Sequence, residues 1–248
     1  MKISNLGSSS AGNAYLLDMD GPDGSRHVIL LEAGFAGMTL HRKTIDAGYS
    51  LEDIEAVLIT HSHKDHAAAA GELHRHGKRV YGNSMVCSGP DTLIETDHVK
   101  AIAPDVFVYP FPAEHDAPNT YGYLITCGAE SLLFMTDLAY TRANLSSFAP
   151  TYLMIEANYD GQTMHFALQG AREAGDAARA AEYERIIKTH MSLKNAIKTA
   201  KTIDLSKCQA VFLIHLSDRH SKALDFKWKA HQELGKPVYI CQKNGGII

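Results

Sequence analysis

Within six residues, His61-Ser62-His63-Lys64-Asp65-His66, the sequence places three imidazoles and a carboxylate. An apolar run, Ala56-Val57-Leu58-Ile59, reads as a strand delivering the chain to that loop. Residues two apart on an extended backbone point to one side, so His61 and His63 share a face. Asp65 and His66 enter the turn of the next helical pattern. Unpaired, these imidazoles would repel one another at mildly acidic pH, and buried they would need partners. As metal ligands they make chemical sense. Imidazole and carboxylate suit zinc, manganese or iron, and the lack of thiolate argues against a purely structural tetrahedral zinc. The competing reading is a solvated loop that happens to be rich in histidine.

The elements around this loop follow from short-range patterns. Tyr15–Met19, His27–Leu31 and Ala56–Thr60 read as strands. Between them, 37–48 reads as a helix with Leu40 and Ile45 inward, and 67–76 as a helix stopped by Gly77. Val80–Tyr81, Val106–Tyr109, Tyr121–Thr126 and Ser131–Met135 are further strands, the last two joined by a hairpin turn at Cys127-Gly128-Ala129-Glu130. Thr151–Ile155 is a strand, and an Ala/Arg/Glu-rich stretch predicts one long helix over 169–188. Ser192 fits an N-cap before a helix with Leu193, Ala196, Ile197, Ala200 and Ile203 on its apolar stripe. Ala210–Ile214 is an apolar strand, 220–234 a helix with Trp228 expected in the core, 238–241 a strand, and Gly245-Gly246 a loose tail. The alternation predicts an α/β (α+β) layered domain with helices outside, spanning 1–248 as one domain.

Composition limits the function. The chain has 248 residues, 45% hydrophobic and 21% charged, which excludes a mostly disordered protein. Its net charge of −4 argues against a broad basic surface for sequence-independent duplex binding. Lys64, Arg75, Lys78, Arg79 and Arg219 remain as candidates for a local basic patch. Cys87, Cys127, Cys208 and Cys241 contain no C-x-x-C pair, no apolar run is long enough to span a membrane, and no signal segment opens the chain, so a reduced cytoplasmic protein with no membrane partner is expected. Histidine is unusually frequent, with 14 residues.

The motif His61-x-His63-x-Asp65-His66 after an apolar strand resembles the signature of the metallo-β-lactamase fold superfamily. Further motifs follow in that family's order: His115 in Glu114-His115-Asp116-Ala117, Asp137 in Phe134-Met135-Thr136-Asp137-Leu138, and His215 in Leu213-Ile214-His215-Leu216-Ser217. The resemblance implies a four-layer αββα sandwich. It also implies two divalent metal ions, Zn²⁺ or Mn²⁺ with Fe as a further candidate. One ion would be held by His61, His63 and His115, the other by Asp65, His66 and His215, with Asp137 bridging. Such a pair activates a shared water and stabilises both oxygens of an in-line displacement.

Four features narrow the substrate within that resemblance. Asp137 stands where the best-known β-lactamases carry Cys, and His63 where the diiron flavoproteins carry Glu. Thr189-His190-Met191-Ser192 resembles the His-Ser-Thr motif of the tRNA 3′-processing ribonucleases (ribonuclease Z), whose histidine helps protonate the leaving oxygen. Glu156, in Ile155-Glu156-Ala157-Asn158, matches that group's Glu-Ala and would orient His190; Ile155 stands where the group has His. Finally, Leu6-Gly7-Ser8-Ser9-Ser10-Ala11-Gly12-Asn13 resembles the opening of the YycJ/WalJ-type DNA exonucleases, with Asn158-Tyr159-Asp160 where that family has Asn-His-Asp. Ser8, Ser9, Ser10, Asn13 and Asn158 are therefore expected to bind substrate phosphate.

The resemblance thus implies a dinuclear-metal phosphodiester hydrolase, a nuclease acting on DNA, with Asp65 helping to hold the nucleophile, His190 as acid and Glu156 as its orienter. A cyclic-nucleotide phosphodiesterase acting on a small nucleotide, a lactonase or thioesterase of the same fold, and a non-hydrolytic binding module are the alternatives. A homodimer with partner residues over the site is compatible with it. The eight histidines outside these motifs follow no ligand spacing; His165 and His220 adjoin the site.

Overall fold

The computed structural model describes residues 1–87, 89, 91–96 and 98–248. The first half builds β1 (Lys2–Ser9), β2 (Gly12–Asp20), β3 (Arg26–Leu31), α1 (Gly37–Asp46), β4 (Ile54–Leu58), α2 (Lys64–Ala67), α3 (Ala70–Arg75) and β5 (Arg79–Tyr81). Its strands lie side by side in sequence order. The second half builds β6 (Lys100–Ala103), β7 (Val106–Pro112), β8 (Tyr121–Cys127), β9 (Glu130–Met135), β10 (Tyr152–Glu156), α4 (Gly161–Glu173), α5 (Ala177–Thr189), α6 (Leu193–Ala200), β11 (Ala210–Ile214), α7 (Ala223–Leu234) and β12 (Val238–Ile240). These strands form a second sheet, again in sequence order. Each sheet starts with antiparallel hairpins and turns parallel, at β3–β4 in the first and β9–β10 in the second.

Strand alternation explains the layers. Successive side chains point to opposite faces. On β2, Leu17 and Met19 enter the core between the sheets while Leu16 faces outward; on β9, Leu132 and Phe134 enter that core while Leu133 and Met135 face outward. The outward face of the first sheet is covered by Leu40 of α1 and Leu73 of α3, and that of the second by Leu193 and Ala196 of α6 and Phe226 of α7. The result is the four-layer αββα sandwich that the sequence motifs imply.

Several local expectations are corrected. The 169–188 stretch is not one helix. Gly175 adopts a left-handed φ of 69° and the Asp176 side chain accepts from Arg179 N–H, ending α4 and capping α5. α4 begins well before that stretch, at Gly161, and is capped by Asp160. The 67–76 helix is likewise split, because Ala69 N–H donates to Ala33 O while Ala33 N–H donates to His66 O. On α1 the inward pair is Leu40 and Thr44, one turn apart, leaving Ile45 56% exposed. On α7, Phe226 and Ala230 face the sheet, so Trp228 lies on the opposite side and is 61% exposed.

Nor is the C-terminus loose. Asn5 Nδ2 donates to Gln242 O (2.8 Å) and Gly246 O (2.7 Å), and Gly246 N–H returns to Asn5 O (3.0 Å). Asn5 Oδ1 also accepts from Gly7 N–H where β1 bulges between Asn5 and Gly7. One side chain thus fastens the last residues across the edge of the first sheet. Replacing it, Asn5→Ala, should lower stability by about 1–3 kcal/mol, since buried backbone groups lose their partners. Thermal unfolding would show this as a drop of several degrees in the midpoint; an unchanged midpoint would mean the tail contributes nothing.

Candidate metal centre

The proposed site residues converge where strands end. Glu32 follows β3, Thr60 to His63 follow β4, and Asp65 and His66 sit in α2. Asp137 follows β9, Glu156 ends β10, His215 follows β11, His115 lies after β7 and His190 ends α5. Glu32, Asp137 and His215 have left-handed backbones, with φ of 63°, 46° and 53°. Such non-glycine conformations cost about 1–3 kcal/mol each and persist only where the surroundings impose them. Here they turn three side chains off their strand lines and into one cluster.

Two overlapping groups of ligand atoms result. His61, His63, His115 and Asp137 each offer an atom within 4.8 Å of the others, and so do Asp65, His66, Asp137 and His215. Asp137 Oδ2 lies 3.4 Å from His66 Nε2, 3.6 Å from His115 Nε2 and 3.9 Å from His61 Nε2. Asp65 Oδ2 lies 3.4 Å from His66 Nε2 and 3.6 Å from His215 Nε2. His63 Nδ1 and His115 Nε2 are 3.2 Å apart. Two ring nitrogens so close either share a proton or turn both lone pairs to a common cation.

Hydrogen bonds behind the cluster fix each ring. The Thr60 hydroxyl donates to Glu32 Oε1 (2.5 Å) and accepts from His61 Nδ1–H (2.9 Å), leaving the His61 Nε2 lone pair directed at the cluster. His66 Nδ1 lies 3.5 Å from the same Glu32 oxygen. His115 Nδ1–H donates to Thr189 O (2.9 Å). Glu156 Oε1 accepts from His215 Nδ1–H (2.9 Å) and His190 Nδ1–H (2.6 Å), while its Oε2 accepts from the N–H groups of Leu138 and Met191. Partners of this kind hold a ligating imidazole in one tautomer. Glu156, His190, His215 and Asp137 also stand close enough to hold an ion. The Glu156 oxygens, however, already accept four N–H donors.

Charge follows burial and neighbours. Burial, with His66 beside it, pushes the His61 pKa well down, so this ring is neutral. Burial also lowers the His115 pKa. For His66 and His215 burial acts the same way, but nearby carboxylates, Asp137 foremost, outweigh it and hold both well above the ordinary value. Burial opposes ionisation of Asp137 and Asp65, yet neighbouring imidazoles hold both below the usual carboxylate range. His61 Nε2 and His215 Nε2 are buried without a hydrogen-bond partner among the described residues. An unpartnered buried polar atom is costly, and a divalent cation is a partner that both nitrogens and the surrounding carboxylates would satisfy together.

Of the residues expected to bind phosphate, Ser10 and Asn158 line the cleft, while Ser8, Ser9 and Asn13 are buried. Ser8 is buried, and its hydroxyl accepts from His215 N–H (2.8 Å) and bonds to Tyr15 OH. Ser9 Oγ accepts from Ala11 N–H in the β1–β2 turn. Asn13 Nδ2 donates to Ser9 O and Asp65 O and lies 3.2 Å from His66 Nε2. Ser8 and Asn13 brace the ligand loops at His215 and Asp65, while the Ser9 side chain holds the β1–β2 turn. Asn158 Nδ2 donates to His215 O, and Ser10 is exposed; both line the cleft. Sequence reasoning missed Glu32 and Thr60 as supports. It also missed Asp116 as a neighbour of His115 Nε2 (3.1 Å), held from the other side by Arg185 Nε (2.6 Å). Of the two flagged histidines, His165 is exposed on α4 and His220 lines the cleft.

The family model described as the β-lactamase superfamily domain matches residues 27–216, more than half of the chain. The chain belongs to the β-lactamase superfamily. Its fold is the metallo-β-lactamase fold: a protein of that fold, YhfI from Bacillus subtilis, superposes with a TM-score of 0.68 at 17% identity, covering 99% of this chain and 97% of that one. The short form of human tRNase Z superposes with a TM-score of 0.61 at 15% identity, covering 88% and 94%. In sequence, the exodeoxyribonuclease WalJ of Streptococcus pneumoniae is 29% identical over 176 residues, covering 64% of this chain. The match spans 63% of that relative's length. The β-lactamase superfamily fold and the His/Asp clusters together mark a divalent-metal site. No helix among the described residues is long and apolar enough to cross a membrane.

In this superfamily member the Glu32–Thr60–His61 relay should govern metal affinity. Thr60→Val keeps the volume, removes the hydroxyl and leaves the His61 proton without its acceptor. Loss of such a supporting hydrogen bond typically weakens metal binding about 10–100-fold. A competitive titration against a chelating dye should show that loss; equal affinity would remove the relay from the account.

Proposed function

We propose that the chain, as one hydrolase domain over 1–248, is a metal-dependent phosphodiesterase acting on nucleic acid. The observation that carries this reading is the Glu156–His190 pair set against the His/Asp cluster. The sequence similarity to an exodeoxyribonuclease supports the same substrate class. In this reading two ions, Zn²⁺ or Mn²⁺, would be held by His61, His63 and His115 and by Asp65, His66 and His215, with Asp137 available to both groups. When bound, they supply Lewis acidity and a water of lowered pKa.

The chain's own groups do the rest. Asp65, ionised and partly buried beside His66 and His215, accepts a hydrogen bond from the attacking water and orients it. His190 delivers the proton to the leaving oxygen. Its Nδ1–H is committed to Glu156, so Nε2–H is the donor on the cleft side. Burial opposes its positive charge, but the Glu156 carboxylate outweighs burial and raises the His190 pKa above the ordinary 6.5. A histidine held protonated near neutral pH suits an acid for an alkoxide leaving group. Burial likewise opposes charge on Glu156, and His190 together with His215 holds it ionised, so orienter and acid stabilise each other. The cleft is lined by polar side chains apart from Ile186, which favours a phosphorylated sugar over the acyl chain of a lactone or thioester.

His190→Ala should reduce kcat on an oligonucleotide about 10²–10⁴-fold with metal binding retained, the usual share of a positioned acid. Because the protonated ring is the active form, the wild-type rate should fall as pH rises through the raised His190 pKa. The variant should lose that alkaline limb. Full turnover by the variant at saturating metal would exclude the acid role.

A further inference from the structure

We propose that the cavity on the His190 side of the metal centre is a subsite for one terminal nucleotide bearing its own phosphate, so that the substrate is recognised by a phosphorylated chain end. This rests on the phosphodiesterase reading above and names its substrate more closely.

The cavity has a volume of about 360 Å³. That is the small end of the roughly 300–1,000 Å³ range of ligand pockets, room for one nucleotide and not for a duplex. It holds His190 and His215 in its wall but none of His61, His63 or His115. Whatever fills it is therefore on the acid's side of the scissile phosphorus, where the leaving group sits.

The rest of its lining suits an anion. The Arg219 guanidinium makes no ion pair or side-chain hydrogen bond among the described residues, although its neighbours are matched: Arg185 with Asp116, and Asp218 with Lys243. His220, only 7% exposed, stands beside it. His220 Nδ1 is buried and unpartnered, which favours the proton on Nε2, since orphaned buried N–H groups are the rarer case. Nε2 is the nitrogen left to the cavity, a neutral donor next to a cation. The Ser10 hydroxyl completes the wall. Glu182, the one lining carboxylate without a basic partner among the described residues, is exposed on the rim, where solvent screens it.

A leaving nucleotide with its oxygen at His190 and a phosphate at Arg219 and His220 engages both sets of lining groups. Water adds to the scissile phosphorus, and the bond from phosphorus to the sugar oxygen breaks with its electron pair on that oxygen. The His190 proton then moves to it. The products are a terminal mononucleotide with a new hydroxyl and a chain shortened by one, carrying the phosphate. A 5′-phosphorylated end leaving through O3′ and a 3′-phosphorylated end leaving through O5′ share this chemistry.

The test compares kcat/KM of the metal-loaded protein on one short single-stranded oligonucleotide carrying a 5′-phosphate, a 3′-phosphate, or hydroxyls at both ends, with bis(p-nitrophenyl) phosphate as a substrate without an end. One phosphorylated form should be turned over about tenfold faster or more than the hydroxyl form, the usual reach of a charged hydrogen bond. Which form it is assigns the polarity. Arg219→Ala, at an exposed position, should bring that ratio close to one, and Arg42→Ala, on α1, should leave it unchanged. Equal rates on all three oligonucleotides, or a ratio that survives Arg219→Ala, overturn this subsite while turnover of the diesters upholds the reading beneath it. No turnover of any diester overturns both.

Discussion

Everything at the functional end of this molecule depends on keeping charge out of water. Glu32, Asp137 and Glu156 are buried at the ends of β3, β9 and β10, packed among His61, His66 and His215, which are buried too. A carboxylate or imidazolium removed from water without partners costs several kcal/mol, on the order of the whole stability of a domain. Each acid here is answered. Glu32 accepts from Thr60, Glu156 accepts four N–H groups, and Asp137 stands amid four imidazoles. Among the buried ring nitrogens left without a hydrogen-bond partner among the described residues, His61 Nε2 and His215 Nε2 belong to the two ligand groups. The centre is thus short of one kind of partner, a cation, and the strained backbones at 32, 137 and 215 maintain the arrangement that wants it.

That dependence explains what was legible in the chain beforehand. His61, His63, Asp65 and His66 announce themselves because the fold delivers them from one strand into one turn, within reach of local spacing rules. Asp137 and His215 were readable as single polar residues closing apolar runs. Glu32 closes an apolar run in the same way, Val28 to Leu31, yet it was passed over, because its partner Thr60 lies 28 residues on and no local rule joins them. The bond Ser8 makes is hidden from local rules in the same way. A Gly/Ser stretch looks like a phosphate loop until β11 arrives, 207 residues later, and its backbone takes the hydroxyl. The split between α4 and α5 was written locally, in Gly175 followed by Asp176, but helix-forming residues on both sides masked it. Trp228 shows that hydrophobicity alone does not place a residue; its phase against Phe226 and Ala230 does.

The negative net charge also changes meaning once the cleft is seen. A global balance of −4 speaks against a long basic track. It says nothing of a cavity in which one of the two lining acids is already matched and one guanidinium is not. Local pairing, not total charge, decides what such a pocket attracts. A small, polar, one-sided cavity beside the acid histidine is consistent with a protein that works on one unit at a time and so needs no extended electrostatic groove.

The most direct test of the central claim is to follow the oxygen of water. The metal-loaded protein is incubated with a dinucleotide in ¹⁸O-labelled water and the products are weighed by mass spectrometry. Hydrolysis at phosphorus assisted by a protonating His190 predicts one ¹⁸O in the product phosphate and none in the departing hydroxyl. Label in the departing hydroxyl, or a dinucleotide that stays intact with metal bound, would contradict the account.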